Sequence, residues 1–185
     1  EMNPVKLVVL INEKEKKIIE SCEHDLNKRM MKYAVNIPTD NKYVQQWHLH
    51  SRLLNAAFDP RSSSNSEGAW HLLNHFGSSD VVVGVTDDGC KLSHTDFDSV
   101  NKFAQWCYMS GSSLIHRDAI SADPQNMYQT NADHGTACNG AIGAEVDGVL
   151  TVGSAPGCRL LPIKWQSSGP SLSISDSKLL TVLNF

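Results

Sequence analysis

The amino-acid sequence predicts an α/β domain organised around a mostly parallel sheet. Two apolar runs read as strands, Val81-Val82-Val83-Gly84-Val85 and Arg159-Leu160-Leu161-Pro162-Ile163-Lys164-Trp165. Helical patterns lie before, between and after them, at Glu67 to Phe76, His134 to Ala144 and Ser175 to Phe185. Strands that alternate with helices favour parallel pairing, because the helix carries the chain back to the end of the sheet where the next strand begins. In such a sheet, ligands bind beyond the carboxyl ends of the strands.

From the N-terminus, Val5 to Ile11 reads as a strand and Glu13 to Lys28 as an amphipathic helix, since Ile18, Ile19, Cys22 and Leu26 fall at helical spacing. Polar and breaker residues interrupt the pattern from Pro38 to Lys42, and Asp59 to Ser66 is a second loop rich in turn formers, with a short segment centred on Trp47 between them. Gly77 is placed to end the helix that starts at Glu67, and the continuous Val81 to Val85 run suits a strand covered on both faces. The next element the pattern defines is the small-residue helix at His134, followed by a loop from Glu145 to Gly153. The run Leu179 to Phe185 is apolar, which leads to the expectation that the chain is part of a longer domain.

Composition narrows the function. The chain is 41% hydrophobic and 19% charged, as in water-soluble globular domains, and its formal charge of −4 offers no attraction to nucleic acid or an anionic membrane. No apolar run approaches the roughly 20 residues that span a bilayer. The five cysteines, Cys22, Cys90, Cys107, Cys138 and Cys158, are sparse and lack metal-module spacing, so they read as mostly buried small apolar side chains.

Asp87 and Asp88 follow the strand Val81 to Val85 directly, and Gly89 turns the chain away, which puts two carboxylates at a strand's carboxyl end. Position alone fits a pair of solvated turn aspartates equally well. His134, in Asp133-His134-Gly135-Thr136, opens a helix of small residues able to pack closely against a neighbour. A carboxylate that holds one ring nitrogen of a histidine leaves the other to take a proton from a serine, and aspartate, histidine, serine is one of the chain orders in which that triad occurs.

In this order the motifs Val85-Thr86-Asp87-Asp88-Gly89, His94-Thr95-Asp96-Phe97 and His134-Gly135-Thr136 resemble those of the subtilases, the subtilisin-like serine proteases. Val152 to Gly157, with Leu161-Pro162-Ile163-Lys164 after it, resembles the family's next segment. Pro38 to Leu49 is similar to the start of the catalytic domain in the kexin and furin branch, which Asp88 and Cys138 also match. The resemblance covers residues 38–185, the N-terminal portion of a catalytic domain, while 1–37 loosely matches the end of a propeptide or an N-terminal extension.

The resemblance implies a three-layer subtilisin-like fold with a mostly parallel central sheet, present here in its first part. It implies a serine endopeptidase acting on protein or peptide substrates, with Asp87 as the triad aspartate and His134 as the general base. The family's Gly-Thr-Ser-x-(Ala/Ser)-x-Pro pattern is absent from the 185 residues. The serine is therefore expected from the remainder of the catalytic domain, and the 185 residues alone are expected to be inactive. A structural Ca2+ is implied, held by the side chains of Asp40, Asp96 and Asp147 with the carbonyls of Glu145, Val149 and Thr151, a hard-oxygen set of the kind calcium takes. Substrate is expected to add to an edge strand at Ser167, Ser168 and Gly169. Asp88, with Asp133, would favour a basic residue beside the cleaved bond, although Asn131 stands where that branch tends to be acidic. Secretion or a periplasmic location follows the family's habit. Two rivals remain: an inactive subtilase-like binding or regulatory protein, and a metal-dependent hydrolase using Asp87, Asp88, His94, Asp96, Asp98 and His134.

Overall fold

The computed structural model describes residues 3–18, 20, 37–52, 57–118, 124–129, 133–168 and 171–184. The chain forms two compact units, Glu1–Lys32 and Tyr33–Phe185. In the first, α1 (Pro4–Lys14) is a helix, where the sequence suggested a strand over Val5 to Ile11. A short apolar run does not by itself distinguish the two, and Pro4 at the first helical position pre-sets the helical φ while Lys14 suits the negative end of the helix dipole. Most of the helix expected over Glu13 to Lys28 lies outside the described residues.

The second unit begins with turns around a short 3-10 helix (Tyr43–Gln45) and continues through α2 (Ser66–Leu73). The expected helix over Glu67 to Phe76 stops earlier than Gly77, because Asn74 adopts the left-handed conformation at φ 60° and closes it. Then follow β1 (Val82–Asp87), β2 (Gln105–Ser110), β3 (Ser113–Asp118), α3 (Pro124–Met127), α4 (His134–Gly143), β4 (Arg159–Lys164), β5 (Gln166–Ser168), β6 (Ser171–Ser173) and α5 (Asp176–Leu183). Ser175 caps α5, accepting a hydrogen bond from the Lys178 amide.

The main sheet has the order β1-β4-β2-β3. β4 runs parallel to both β1 and β2, whereas β3 returns antiparallel from β2 through the Gly111-Ser112 turn. Gly111 has φ 60°, the left-handed value that a tight two-residue hairpin needs at its first turn position. β5 and β6 form a separate antiparallel pair.

Alternate residues of β4 build two cores. Leu160 packs with Cys90, Phe97, Phe103, Ala144 and Cys158, together with Ile142 of α4. Leu161 and Ile163 point the other way, to Cys107, Met109, Trp165 and Val182 of α5. This period of two places helices on both faces of the sheet, which makes a three-layer α/β arrangement. β1 differs from expectation: Val83, Val85 and Asp87 turn toward α4, but Val82, Gly84 and Thr86 are exposed, so only one face of this edge strand is covered among the described residues.

A third core, Tyr43, Leu49, Trp70 and Val152, ties the segment after residue 37 to the loop that follows α4. Gln46 brackets Val152, accepting from its amide and donating to its carbonyl, both at 2.8 Å, and Trp70 Nε1 donates to Ser154 O at 2.9 Å. Of the described cysteines, Cys90, Cys107 and Cys158 are buried, Cys138 is half-buried, and all are free thiols.

Candidate active site

Asp87 is the last residue of β1, and His134 is the first of α4. α4 meets β1 closely because Gly135 has no side chain: a Cβ there would lie 2.1 Å from Gly89 O and 2.8 Å from Asp87 Cβ. The imidazole Nδ1–H donates to both Asp87 oxygens at 2.9 Å. Asp87 Oδ1 also accepts from the Asp88 amide at 2.7 Å. Burial acts to raise the Asp87 carboxyl, but hydrogen bonds from His134, the Asp88 amide and Cys138 outweigh it and hold the group below its ordinary value. The hydrogen bond to Asp87, reinforced by its charge, raises His134 above the ordinary histidine value. The His134 side chain is 76% exposed, and Nε2 has no partner among the described residues. Asp87 thus fixes the tautomer, and the outer nitrogen faces solvent as an acceptor.

Asp88 does something the sequence did not indicate. Its Oδ1 accepts from the Gly135 amide at 2.7 Å, so it satisfies one of the free donors in the first turn of α4. Cys138, one helical turn beyond His134, places its sulfur 3.7 Å from Nδ1, and burial together with its bond to Asp87 raises the thiol's pKa. The i, i+4 spacing was the signal for this contact. Asp133 accepts from Tyr128 Oη at 2.7 Å. A cavity of about 620 Å3 runs along the neighbouring flank of α4, past Asp133, Thr136, Ala137 and Gly140 to Phe97, and it does not include Asp87 or His134.

A second polar cluster sits where the loop after α4 meets Asp40 and Asp96, which are 3% and 2% exposed. Asp40 Oδ1 accepts from the amides of Asp147 and Gly148 at 3.2 Å, whereas Asp40 Oδ2 is buried with no hydrogen-bond partner among the described residues. Asp96 Oδ2 accepts from the Thr151 amide at 3.2 Å and hydroxyl at 2.6 Å, and its carbonyl accepts from the Glu145 amide at 3.1 Å. Asp147 Oδ1 accepts from the Val149 amide at 2.8 Å. Burial raises the Asp147 carboxyl and the Val149 amide opposes this, while the charges of Asp40 and Asp96 push it further up. Carboxylates crowded together with a buried, unpartnered oxygen are the donor chemistry of a hard divalent cation. Asp98, Glu145 and Asp147 also bring one oxygen each within 4.8 Å of one another. Asp98 and Glu145 were not in the predicted side-chain set, and Glu145 spends one oxygen on the Ser99 amide at 3.0 Å.

His94 Nδ1 accepts from the Asp96 amide at 3.2 Å, so His94 and Asp96 belong with Thr151, while Asp87 is engaged by His134. The six residues of a single catalytic metal centre are not gathered as one group among the described residues. Ser167 and Ser168 lie in β5, where one edge is paired with β6; Gly169 and Asn131 lie outside the described residues.

This geometry coincides with a match of residues 78–180 to the subtilase family of peptidases. The chain belongs to the subtilase family. It is therefore a member of a serine protease family, and its α/β sheet is part of a subtilase domain. A calcium-dependent protease of Nostoc sp. (strain PCC 7120 / SAG 25.82 / UTEX 2576) is 29% identical over 73% of this chain and 18% of its own length. Furin of Mus musculus is 32% identical over 77% of this chain and 16% of its own length, and furin of Homo sapiens is 30% identical over the same shares. The subtilase chain thus spans less than a fifth of these relatives, and its likeness to furin agrees with the kexin and furin branch.

Proposed function

We propose that the protein is a calcium-stabilised serine endopeptidase in which Asp87 and His134 are two members of the triad and the nucleophilic serine comes from outside these 185 residues. The observation that carries the reading is the hydrogen bond from His134 Nδ1 to Asp87 at 2.9 Å, with Nε2 exposed to solvent. In this arrangement Nε2 removes the serine proton as the hydroxyl attacks the substrate carbonyl, and then delivers it to the leaving amine. Asp87 keeps the ring in the productive tautomer and stabilises the imidazolium that forms. The edge of β5 at Ser167 and Ser168 that has no strand partner among the described residues receives the substrate backbone as an added strand.

Asp40, Asp96 and Asp147, with the carbonyls of Glu145, Val149 and Thr151, hold a Ca2+. The ion neutralises the crowded carboxylates and locks the loop after α4 against the segment that starts the unit. The buried Asp40 Oδ2, without a partner among the described residues, supports this reading, as does the similarity to the calcium-dependent protease of Nostoc.

Hydrolysis of unstructured peptides by the full-length protein tests the proposal. Asp87→Asn and His134→Ala are each expected to lower kcat on the order of 10⁴-fold. Turnover that survives His134→Ala would show that another base is at work.

A further inference from the structure

His134 and Cys138 stand one turn apart on α4 and face the same way, toward Asp87 at the end of β1. Cys138 Sγ lies 3.7 Å from His134 Nδ1, which is itself 2.9 Å from both Asp87 oxygens. One carboxylate oxygen, one imidazole nitrogen and one thiol sulfur therefore come within 4.8 Å of one another. Tetrahedral Zn2+, with Zn–S of about 2.3 Å and Zn–N of about 2.0 Å, sets a sulfur and a nitrogen roughly 3.5 Å apart. Cys138 and His134 already stand close to that separation. A carboxylate on the same ion would stand roughly 3.3 Å from Nδ1, and the ring, 76% exposed, has room to draw back by that small amount. Donor type separates this cluster from the acidic one. Asp40, Asp96 and Asp147 present oxygen alone, the set for a hard cation, whereas sulfur and nitrogen beside oxygen select a softer one.

We infer that Asp87, His134 and Cys138 form a binding site for a thiophilic divalent cation of the Zn2+ class, and that occupancy of this site switches the His134 base off. Binding releases the thiol proton to solvent and leaves the sulfur as thiolate. At His134 the ion takes the place of the proton on Nδ1, and the neutral ring carries its proton on Nε2 instead. A protonated Nε2 donates a hydrogen bond and cannot accept the proton of a serine. Removal of the ion returns the ring proton to Nδ1, so the inhibition is reversible. The site follows from the geometry of the three side chains, while the inhibition rests on the proposal that His134 is the general base.

Titration of the full-length protein with Co2+, a spectroscopic stand-in for Zn2+, tests the site, with Ca2+ in excess so that the hard-cation cluster is filled. A thiolate-to-cobalt charge-transfer band is expected in the near ultraviolet and should vanish when Zn2+ displaces the Co2+. The band should be lost in Cys138→Ala and be at least roughly tenfold harder to saturate in His134→Ala. Zn2+ should inhibit hydrolysis of an unstructured peptide by the wild type, and a zinc-selective chelator should restore it. In Cys138→Ala, or in Cys138→Ser should the alanine variant not fold, half-inhibition relative to the variant's own metal-free rate should require at least roughly tenfold more Zn2+. A cysteine that only braces Asp87 would leave the zinc response unmoved. No cobalt band in the wild type, a band that survives in Cys138→Ala, or equal zinc sensitivity in wild type and variant would overturn the inference. A wild type that binds Co2+ through Cys138 but hydrolyses no peptide would instead contradict the protease reading and leave the metal site standing.

Discussion

The Gly135 amide donates to Asp88 Oδ1 at 2.7 Å, one residue further along both segments from the contact between His134 and Asp87. Two consecutive carboxylates at the end of β1 therefore hold the first two residues of α4. One sets the imidazole, and the other satisfies the helix terminus. Replacing Asp88 by alanine removes a helix cap and is expected to cost about 1 kcal/mol of stability, whereas Asp88→Asn, which keeps an acceptor, should cost less. Denaturant melts of the two variants check the difference.

Gly135→Ala is expected to be far more damaging. The added Cβ meets the Gly89 carbonyl at 2.1 Å and Asp88 Oδ1 at 2.9 Å, so α4 must move off β1. Overpacking of this kind costs roughly 1–3 kcal/mol or more. The movement should also lengthen the contact between His134 and Asp87, which would appear as a His134 titration returning toward the ordinary histidine value.

The pH dependence follows from opposite shifts in the pair. His134 is raised above 6.5, so its contribution to stability is complete below 6.5 and is lost as pH rises through its folded value. Asp87 is depressed below 3.8, so its contribution is complete above 3.8 and is lost as pH falls through its folded value. The pair is at full strength between those limits. Catalysis needs the neutral imidazole, so kcat/KM should climb with pH through a value above 6.5. Asp87→Asn should bring the NMR titration of the His134 ring back toward 6.5.

Calcium is expected to raise the melting temperature. Saturation at about 1,000 times Kd adds about 4 kcal/mol, and chelation removes it. Asp40→Asn and Asp147→Asn should each abolish most of the response by withdrawing a carboxylate from the cluster. Calorimetry with and without chelator measures it. An identical melting temperature in both conditions would contradict the calcium assignment.

Much of this was legible in the sequence because local pattern and tertiary role agree. The strand ending at Asp87, the small-residue helix at His134 and the strand over Arg159 to Lys164 are each marked by apolar runs or small residues. Their order implied the parallel pairing that brings Asp87 to His134. The hairpin of β2 and β3 was missed because Gln105 to Asp118 mixes polar residues into both strands, although Gly111-Ser112 carried a turn signal. α1 was misread because an unbroken apolar run has no period, and the residue that decides it is Pro4. Asp88 at the Gly135 amide and Gly135 against the Gly89 carbonyl depend on which atoms share a space after folding, which no spacing along the chain encodes.

Labelling of the full-length protein with a fluorophosphonate probe, in the wild type and in His134→Ala, addresses the serine endopeptidase assignment most directly. The wild type should be labelled covalently, and the variant, its serine no longer activated, should not. A folded wild-type protein that takes up no label, or a variant that labels equally well, would contradict an Asp87-His134-serine triad.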